Sequence, residues 1–390
     1  MNSFTVLSGE RIGGSCYLLE TDGVRIIFDC GIKPGDPYTE HPDIPSPETV
    51  DAVFVSHAHL DHMGAIAYTV AACKNARIFM TDYTKGFVKY QMAATIAEYI
   101  GADTDALDMH NRILCELVMQ RIETVSYKNI NKFTARNGTE CRFSLFRAGH
   151  IPGAAMTLLK IGGRRILYTG DFALFDTSLT MRSNLPKEVK ADVMILCGTH
   201  SNDPDYEVSE CDIMSSIEKK FNEALAKSHR LVIPVSQLTK GLELLSWITD
   251  VKSDQYGRHV LKDCRIYIEP NLWDLARYYR DRSETFMLPQ DSHRLADWTP
   301  EAKSRGPVLI FERAGCDMTA YPGYKRVNAD FTIHADYIDL KDIIEAVDPE
   351  RLFVVHAAGK GCALEDEIFD SRLKRENITY TEKNISYNIY

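Results

Sequence analysis

The sequence has no Cys-x-x-Cys pair. Its ten cysteines are scattered at positions 16, 30, 73, 115, 141, 197, 211, 264, 316 and 362, which excludes a zinc ribbon or a thioredoxin-type redox pair. Positive charge is not in excess. Lys plus Arg number 45 against 55 Asp plus Glu, a net charge of −10, so a general basic coat for nucleic acid is excluded, while a local basic groove or bound cations could still attract phosphates. No apolar run approaches the ~20 residues of a membrane span, so no membrane association is expected. The N-terminal MNSFTVLSGERIGGSC lacks a basic segment followed by an apolar one, so no signal peptide is expected either. With thiols that look unpaired, this predicts a cytoplasmic protein. Internal repeats and low-complexity tracts are absent. What remains is an ordinary globular composition, 45% hydrophobic and 26% charged. Its 390 residues suit two or three domains, or one domain carrying an insertion.

The first third reads as short strands with tight turns: FTVLSG, SCYLLET and VRIIFDCG, then AVFVSH and ARIFMT. Between the last two, DHMGAIAYTVAACKN predicts one helix starting near Asp61. Residues 83 to about 122 read as helical, with a polar break. Strands resume at CRFSLFRAG, MTLLKIGG, RRILYTGD and ADVMILCG. From about residue 203 the texture changes to alternating helix and buried strand. FTIHADYIDLKDIIEAV and RLFVVHAAGKG close the chain with strand, loop and helix signals.

The densest chemical signal is Ser56-His57-Ala58-His59-Leu60-Asp61-His62. Residues two apart in an extended segment point the same way, so His57 and His59 can reach one ion. The turn into a helix swings Asp61 and His62 toward a neighbouring position, which favours two adjacent metals over one. His150, Asp171 and His356 share the same placement, each just past an apolar strand. Taken singly, each is an ordinary capping Asp or surface His. Together they suggest one edge of a sheet collecting ligands. Imidazole plus carboxylate without thiolate suits a catalytic Zn, with Mn or Fe as rivals.

The ordered set His57-x-His59-x-Asp61-His62, His150, Asp171 and His356 resembles the metallo-β-lactamase fold pattern, from FDCG near Asp29 to the C-terminus. The resemblance implies an α/β fold, an αββα sandwich. It places two Zn2+ ions, one on His57, His59 and His150, the other on Asp61, His62 and His356, with Asp171 bridging. AGHIPGAAMTLL looks like the β-CASP nucleic-acid-processing branch, which includes ribonuclease J and the mRNA 3′-end endonuclease. FTIHADYIDL resembles its motif B, with His334, and VVHAAG its motif C, with His356. The segment containing IPVSQLTKGLELL resembles the inserted α/β β-CASP cap. The implied domains are 1–202, a cap insertion at 203–325, and a closing part at 326–390. Two positions depart from the pattern: Cys197 stands where motif A has an acid that orients the motif B histidine, and Lys240 where the cap motif usually has Arg. His200, Asp203 and Asp336 are nearby alternatives for orienting His334.

The resemblance implies a dinuclear metal-dependent phosphodiester hydrolase, a ribonuclease acting on single-stranded RNA. Asp61 would aim the nucleophile and His334 would act on the leaving oxygen. Lys240, Lys325 and Arg326 are candidates for backbone contacts. The alternatives are a hydrolase of DNA, a small phosphodiester, a thioester or a lactone, and a non-catalytic RNA-processing subunit. A homodimer is an assembly the resemblance allows. The tryptophans Trp247, Trp273 and Trp298 fit core packing better than base stacking.

Overall fold

The computed structural model describes residues 2–33, 41–100, 109–206, 210–235, 240–249, 264–281, 286, 288–289, 291–299, 306–329, 331–359, 363–366 and 372–390. The chain forms two compact units. The first comprises Met1–Leu174, Arg182–Glu207 and Ile333–Tyr390; the second comprises Phe175–Met181 and Val208–Thr332.

Among the described residues, two seven-stranded sheets build the first unit. In one, Ser386–Asn388, Ser3–Ser8, Cys16–Thr21 and Val24–Phe28 pair antiparallel, and Ala52–Phe54, Arg77–Met80 and Ile122–Thr124 continue parallel. In the other, Ile378–Tyr380, Arg351–Val355, Val193–Cys197 and Arg164–Tyr168 run parallel, and Ala155–Ile161, Glu140–Arg147 and Asn131–Thr134 complete it antiparallel. The sheets pack face to face through alternate residues, as the two-residue period of a strand requires. Val24, Ile26 and Phe28 meet Val193, Ile195 and Tyr168 in a single apolar cluster. Its rings interlock across the sheets: Phe28 lies 4.8 Å from Tyr168, Phe54 4.9 Å from Phe143, and Phe4 5.0 Å from Phe353. On the opposite faces Val53, Ile78, Met194 and Leu196 are also buried. That double burial is why the parallel strands read as continuous apolar runs.

The helix expected from Asp61 is two shorter pieces, Leu60–Met63 and Ile66–Ala72. The break falls at Ala65 (φ −93°, ψ 18°), whose N–H donates to Cys30 O at 2.7 Å while Asp61 O, its regular helical partner, accepts from Ser15 N; Gly64 beside it is closely packed. A Cβ there would lie 2.5 Å from both the Ile32 side chain and the Leu60 carbonyl. Near the C-terminus, Phe331–His334 forms no strand, while Tyr337–Val347 is a helix capped by Asp336, whose carboxylate accepts from Asp339 N at 2.8 Å.

The second unit holds a five-stranded, wholly parallel sheet in the order Ser292–Arg294, Arg265–Ile268, Val308–Arg313, Arg230–Val235, Lys325–Arg326. Trp247 is buried against Phe221, and Trp298 packs on the cluster around Tyr321. Both serve as core.

Candidate metal centre

Strand ends position the site. His57, His59, Asp61 and His62 follow Ala52–Phe54, His150 follows Glu140–Arg147, Asp171 follows Arg164–Tyr168 and His356 follows Arg351–Val355. Close backbone approach lets these ends converge. Gly170, at φ +54°, lies so near Ser56 that a Cβ would sit 2.6 Å from the Ser56 Cβ. At Gly31 a Cβ would fall 1.8 Å from the Asp61 carbonyl oxygen. His356 has φ +52°, a conformation rare outside glycine and often found at functional sites. Its N–H donates to Gly9 O at 2.9 Å, which helps hold it there.

The seven side chains meet in two groups: His57, His59, His150 and Asp171, and Asp61, His62 and His356. Within each, the ligand atoms all lie within 4.8 Å of one another. His59 Nδ1 is 3.1 Å from both His57 Nε2 and His150 Nε2. Tetrahedral Zn–N bonds of ~2.0–2.1 Å would separate two nitrogens by about 3.3 Å. Asp171 Oδ2 lies 3.9 Å from His57 Nε2, 3.8 Å from His150 Nε2 and 3.4 Å from His62 Nε2, while Asp171 Oδ1 is 3.3 Å from His356 Nδ1. His356 Nε2 is 3.3 Å from Asp61 Oδ2. One carboxylate therefore faces both groups.

The outer hydrogen bonds set the tautomers. His150 Nδ1 donates to Ile333 O at 2.9 Å, and His62 Nδ1 to Asp29 Oδ2 at 2.7 Å. Ser56 Oγ gives its proton to Asp29 Oδ2 at 2.7 Å, so at 3.0 Å it accepts from His57 Nδ1. His57 and His150 then turn an Nε2 lone pair toward the centre, and His62 turns its Nε2 there as well. His59 Nδ1 can share a proton with one neighbour only. Burial holds His57 and His150 well below the usual imidazole range and lowers His59 to about 4, so these rings are neutral donors. Burial alone would raise Asp171, but His356, His62 and the His334 hydrogen bond hold it well below the usual carboxylate range. Asp61 is held low too, chiefly by His356 acting against burial. For His62, burial is outweighed by Asp171 and Asp29, which raise it.

Among the described residues, the buried atoms His62 Nε2 and Asp171 Oδ1 meet no hydrogen-bond partner. Unused lone pairs beside buried carboxylates are the donor set of a divalent cation. The residues fit one.

His334 Nε2 is 3.1 Å from Asp171 Oδ2, and its ring stacks on His150 at 4.6 Å. His200 is further off, at 6.2 Å between centroids. Cys197 is buried with its thiol 3.8 Å from the Tyr168 hydroxyl, and Asp171 and His150 are among the groups that hold His334. Lys240 belongs to the second unit, where its ammonium lies 5.9 Å from the Phe331 ring centroid. There Lys325 and Arg326 form an exposed strand.

Asp29 was not singled out from sequence. Fully buried at φ +59°, it accepts from Ser56 N at 2.6 Å, Ser56 Oγ, His62 Nδ1 and the Tyr168 hydroxyl. The available signal was its place at the end of an apolar strand, the same signal that flagged Asp171.

Comparison with known proteins bears on this geometry. The profile of the Metallo-beta-lactamase superfamily matches residues 9–219. Cleavage and polyadenylation specificity factor 73 of Drosophila melanogaster is 32% identical over 65% of this chain and 36% of its own length. Endoribonuclease YSH1 of Yarrowia lipolytica is 27% identical over 62% and 29%. The Probable RNase MJ4 of Methanocaldococcus jannaschii is 31% identical over 63% and 55%. The matches thus span between 29% and 55% of these relatives' own length. A solved structure, described as a protein of unknown function from Enterococcus faecalis V583, superposes with a TM-score of 0.58 over 99% of both chains at 14% identity; it shares the fold.

Proposed function

The chain belongs to the metallo-beta-lactamase superfamily, and from that premise we propose that it is a metal-dependent endoribonuclease acting on single-stranded RNA. Three similar proteins carry names that state RNA cleavage or a cleavage factor. The observation that carries the reading is the pair of His/Asp groups sharing Asp171, with His334 at their edge.

In this reading His57, His59 and His150 hold one Zn2+, Asp61, His62 and His356 a second, and Asp171 faces both. Mn2+ or Fe are competitors for the same donors. Bound cations would supply Lewis acidity, activating water and drawing charge from the phosphate oxygens. Side-chain exposure then divides the labour. His57, His62, His150, Asp171 and His356 are exposed by 1% or less, whereas Asp61 is exposed by 20% and His334 by 25%. The shielded five are suited to holding ions. The two accessible groups are suited to meeting substrate. Asp61 would orient the attacking water through its carboxylate. His334, steadied by the bond from its Nε2 to Asp171, would donate to the leaving oxygen, a role worth roughly 10²–10⁴ in rate. We take the second unit, Phe175–Met181 with Val208–Thr332, as the β-CASP-like cap expected at 203–325, and Lys240 as a contact to the RNA backbone. No described helix is long and apolar enough to cross a membrane. No disulfide joins the described cysteines, which favours a reducing compartment such as the cytoplasm.

The test is metal content measured together with cleavage of end-labelled single-stranded RNA and DNA. Two metals per chain and internal RNA cuts are expected. A metal-loaded chain that hydrolyses simple esters and leaves RNA intact would overturn the reading.

A further inference from the structure

An open cavity of about 710 Å³ lies in the first unit, beside the arch Gly9–Gly14. Among the described residues three cations line it, Arg11, Lys33 and Lys383, against the carboxylates Glu10 and Asp43. In a chain of net charge −10 this local excess runs against the average. We propose that this cavity is a phosphate-binding groove that holds the backbone of the RNA strand on the side of Asp61 and His356. The inference rests on the nuclease reading above and deepens it.

The attachment of the groove to the metal centre carries the argument. Gly9 O accepts from His356 N at 2.9 Å, and Arg11 bridges to Ala357, the next residue. On the other side, Ser15 N donates to Asp61 O at 2.7 Å, Cys30 N to His62 O at 2.8 Å and Ile32 N to Leu60 O at 2.9 Å. Arg11 is thus fixed through backbone to the His356 segment, and Lys33 to the segment carrying Asp61 and His62. The arch itself is braced. The Tyr17 hydroxyl donates to Gly9 O at 2.7 Å, and Ser8 Oγ to Gly14 O. Gly13 and Gly14 both have positive φ, and a Cβ on Gly13 would lie 3.2 Å from the Lys33 side chain. Arg11, Lys33 and Lys383 remain exposed. Exposed cations on a braced backbone beside a hydrolytic centre suit a polyanion whose neighbouring phosphates must lie near the one being cut.

Each phosphate contact on a single strand contributes about 0.7 to the slope of log K against log salt, or roughly fivefold in affinity at about 0.1 M. The experiment compares zinc-loaded wild type, Arg11→Ala/Lys33→Ala, and Lys132→Ala as an exposed lysine elsewhere. Binding of labelled oligouridylate is titrated over salt in a His334→Ala background, and kcat and KM are measured with His334 intact. The double variant should bind about 25-fold more weakly with a slope smaller by about 1.4. It should raise KM more than it lowers kcat, and Lys132→Ala should leave binding unchanged. Metal content and circular dichroism report whether each variant is folded. Equal affinity and slope in wild type and double variant, with the RNA still cut, overturns the groove and leaves the nuclease standing. Wild type that neither binds nor cuts the RNA, yet hydrolyses bis-p-nitrophenyl phosphate, overturns both.

Discussion

Replacing Asp29 with Asn changes almost no volume but reverses the sense of hydrogen bonds one layer outside the metal centre. Asp29 Oδ2 accepts from His62 Nδ1, Ser56 Oγ and the Tyr168 hydroxyl, while Oδ1 accepts from Ser56 N at 2.6 Å. The Ser56 N–H cannot turn away, so the Asn carbonyl oxygen is held at Oδ1 and the amide nitrogen falls at Oδ2. Two N–H groups then meet where His62 Nδ1 had donated. His62 relieves the conflict by moving its proton to Nε2, the atom facing Asp171 at 3.4 Å. A metal must now displace that proton, against the preference of the ring. Changes to the partners of ligating histidines typically lower metal affinity 10–100-fold, about 1.4–2.7 kcal/mol. The assay is competition against a calibrated chelator, read as metals retained per chain. Asp29→Asn should lose the more weakly held ion first, and excess metal should restore cleavage. An unchanged retention curve would refute the tautomer argument, because the substitution leaves every proposed ligand in place.

His334→Ala should keep both metals and lose roughly 10²–10⁴ in cleavage rate; loss of metal instead would mark a structural role. Gly31→Ala forces a Cβ to within 1.8 Å of Asp61 O, so it should destabilise by about 3 kcal/mol in urea unfolding and release metal; a soluble, metal-replete variant would contradict the close approach. Burial, with Asp336 close by, raises Asp339 to about 6. Its charged form is therefore disfavoured in the fold. That penalty is absent below about pH 4, grows toward pH 6 and is complete above it. After discounting for partial exposure, Asp339→Asn should gain about 1 kcal/mol at alkaline pH and nothing near pH 4.

The His57–His62 cluster was legible because four donors crowd one short segment after an apolar strand. His150, Asp171 and His356 are isolated in sequence, and the resemblance drew them together. Asp29 stayed hidden because its importance comes from partners 27, 33 and 139 residues away, which no local pattern encodes. The two-piece helix after His59 was missed for the same reason: Ala65 N turns to Cys30 O and Asp61 O to Ser15 N, partners distant in sequence. Parallel strands such as Val193–Cys197 were easy to find, since burial on both faces makes them uniformly apolar. The settling of His334 on Asp171 and His150, with Cys197 turned to Tyr168, required coordinates.

Segments far apart in sequence lock one another. Ser386–Asn388 zips onto Ser3–Ser8, and Gly9 fastens His356 in its unusual turn. Because a ribosome delivers residues in order, over seconds, the hook offered by Gly9 is made well before its latch. Until His356 has been made, the group formed with Asp61 and His62 lacks an imidazole, so this centre arms itself only late.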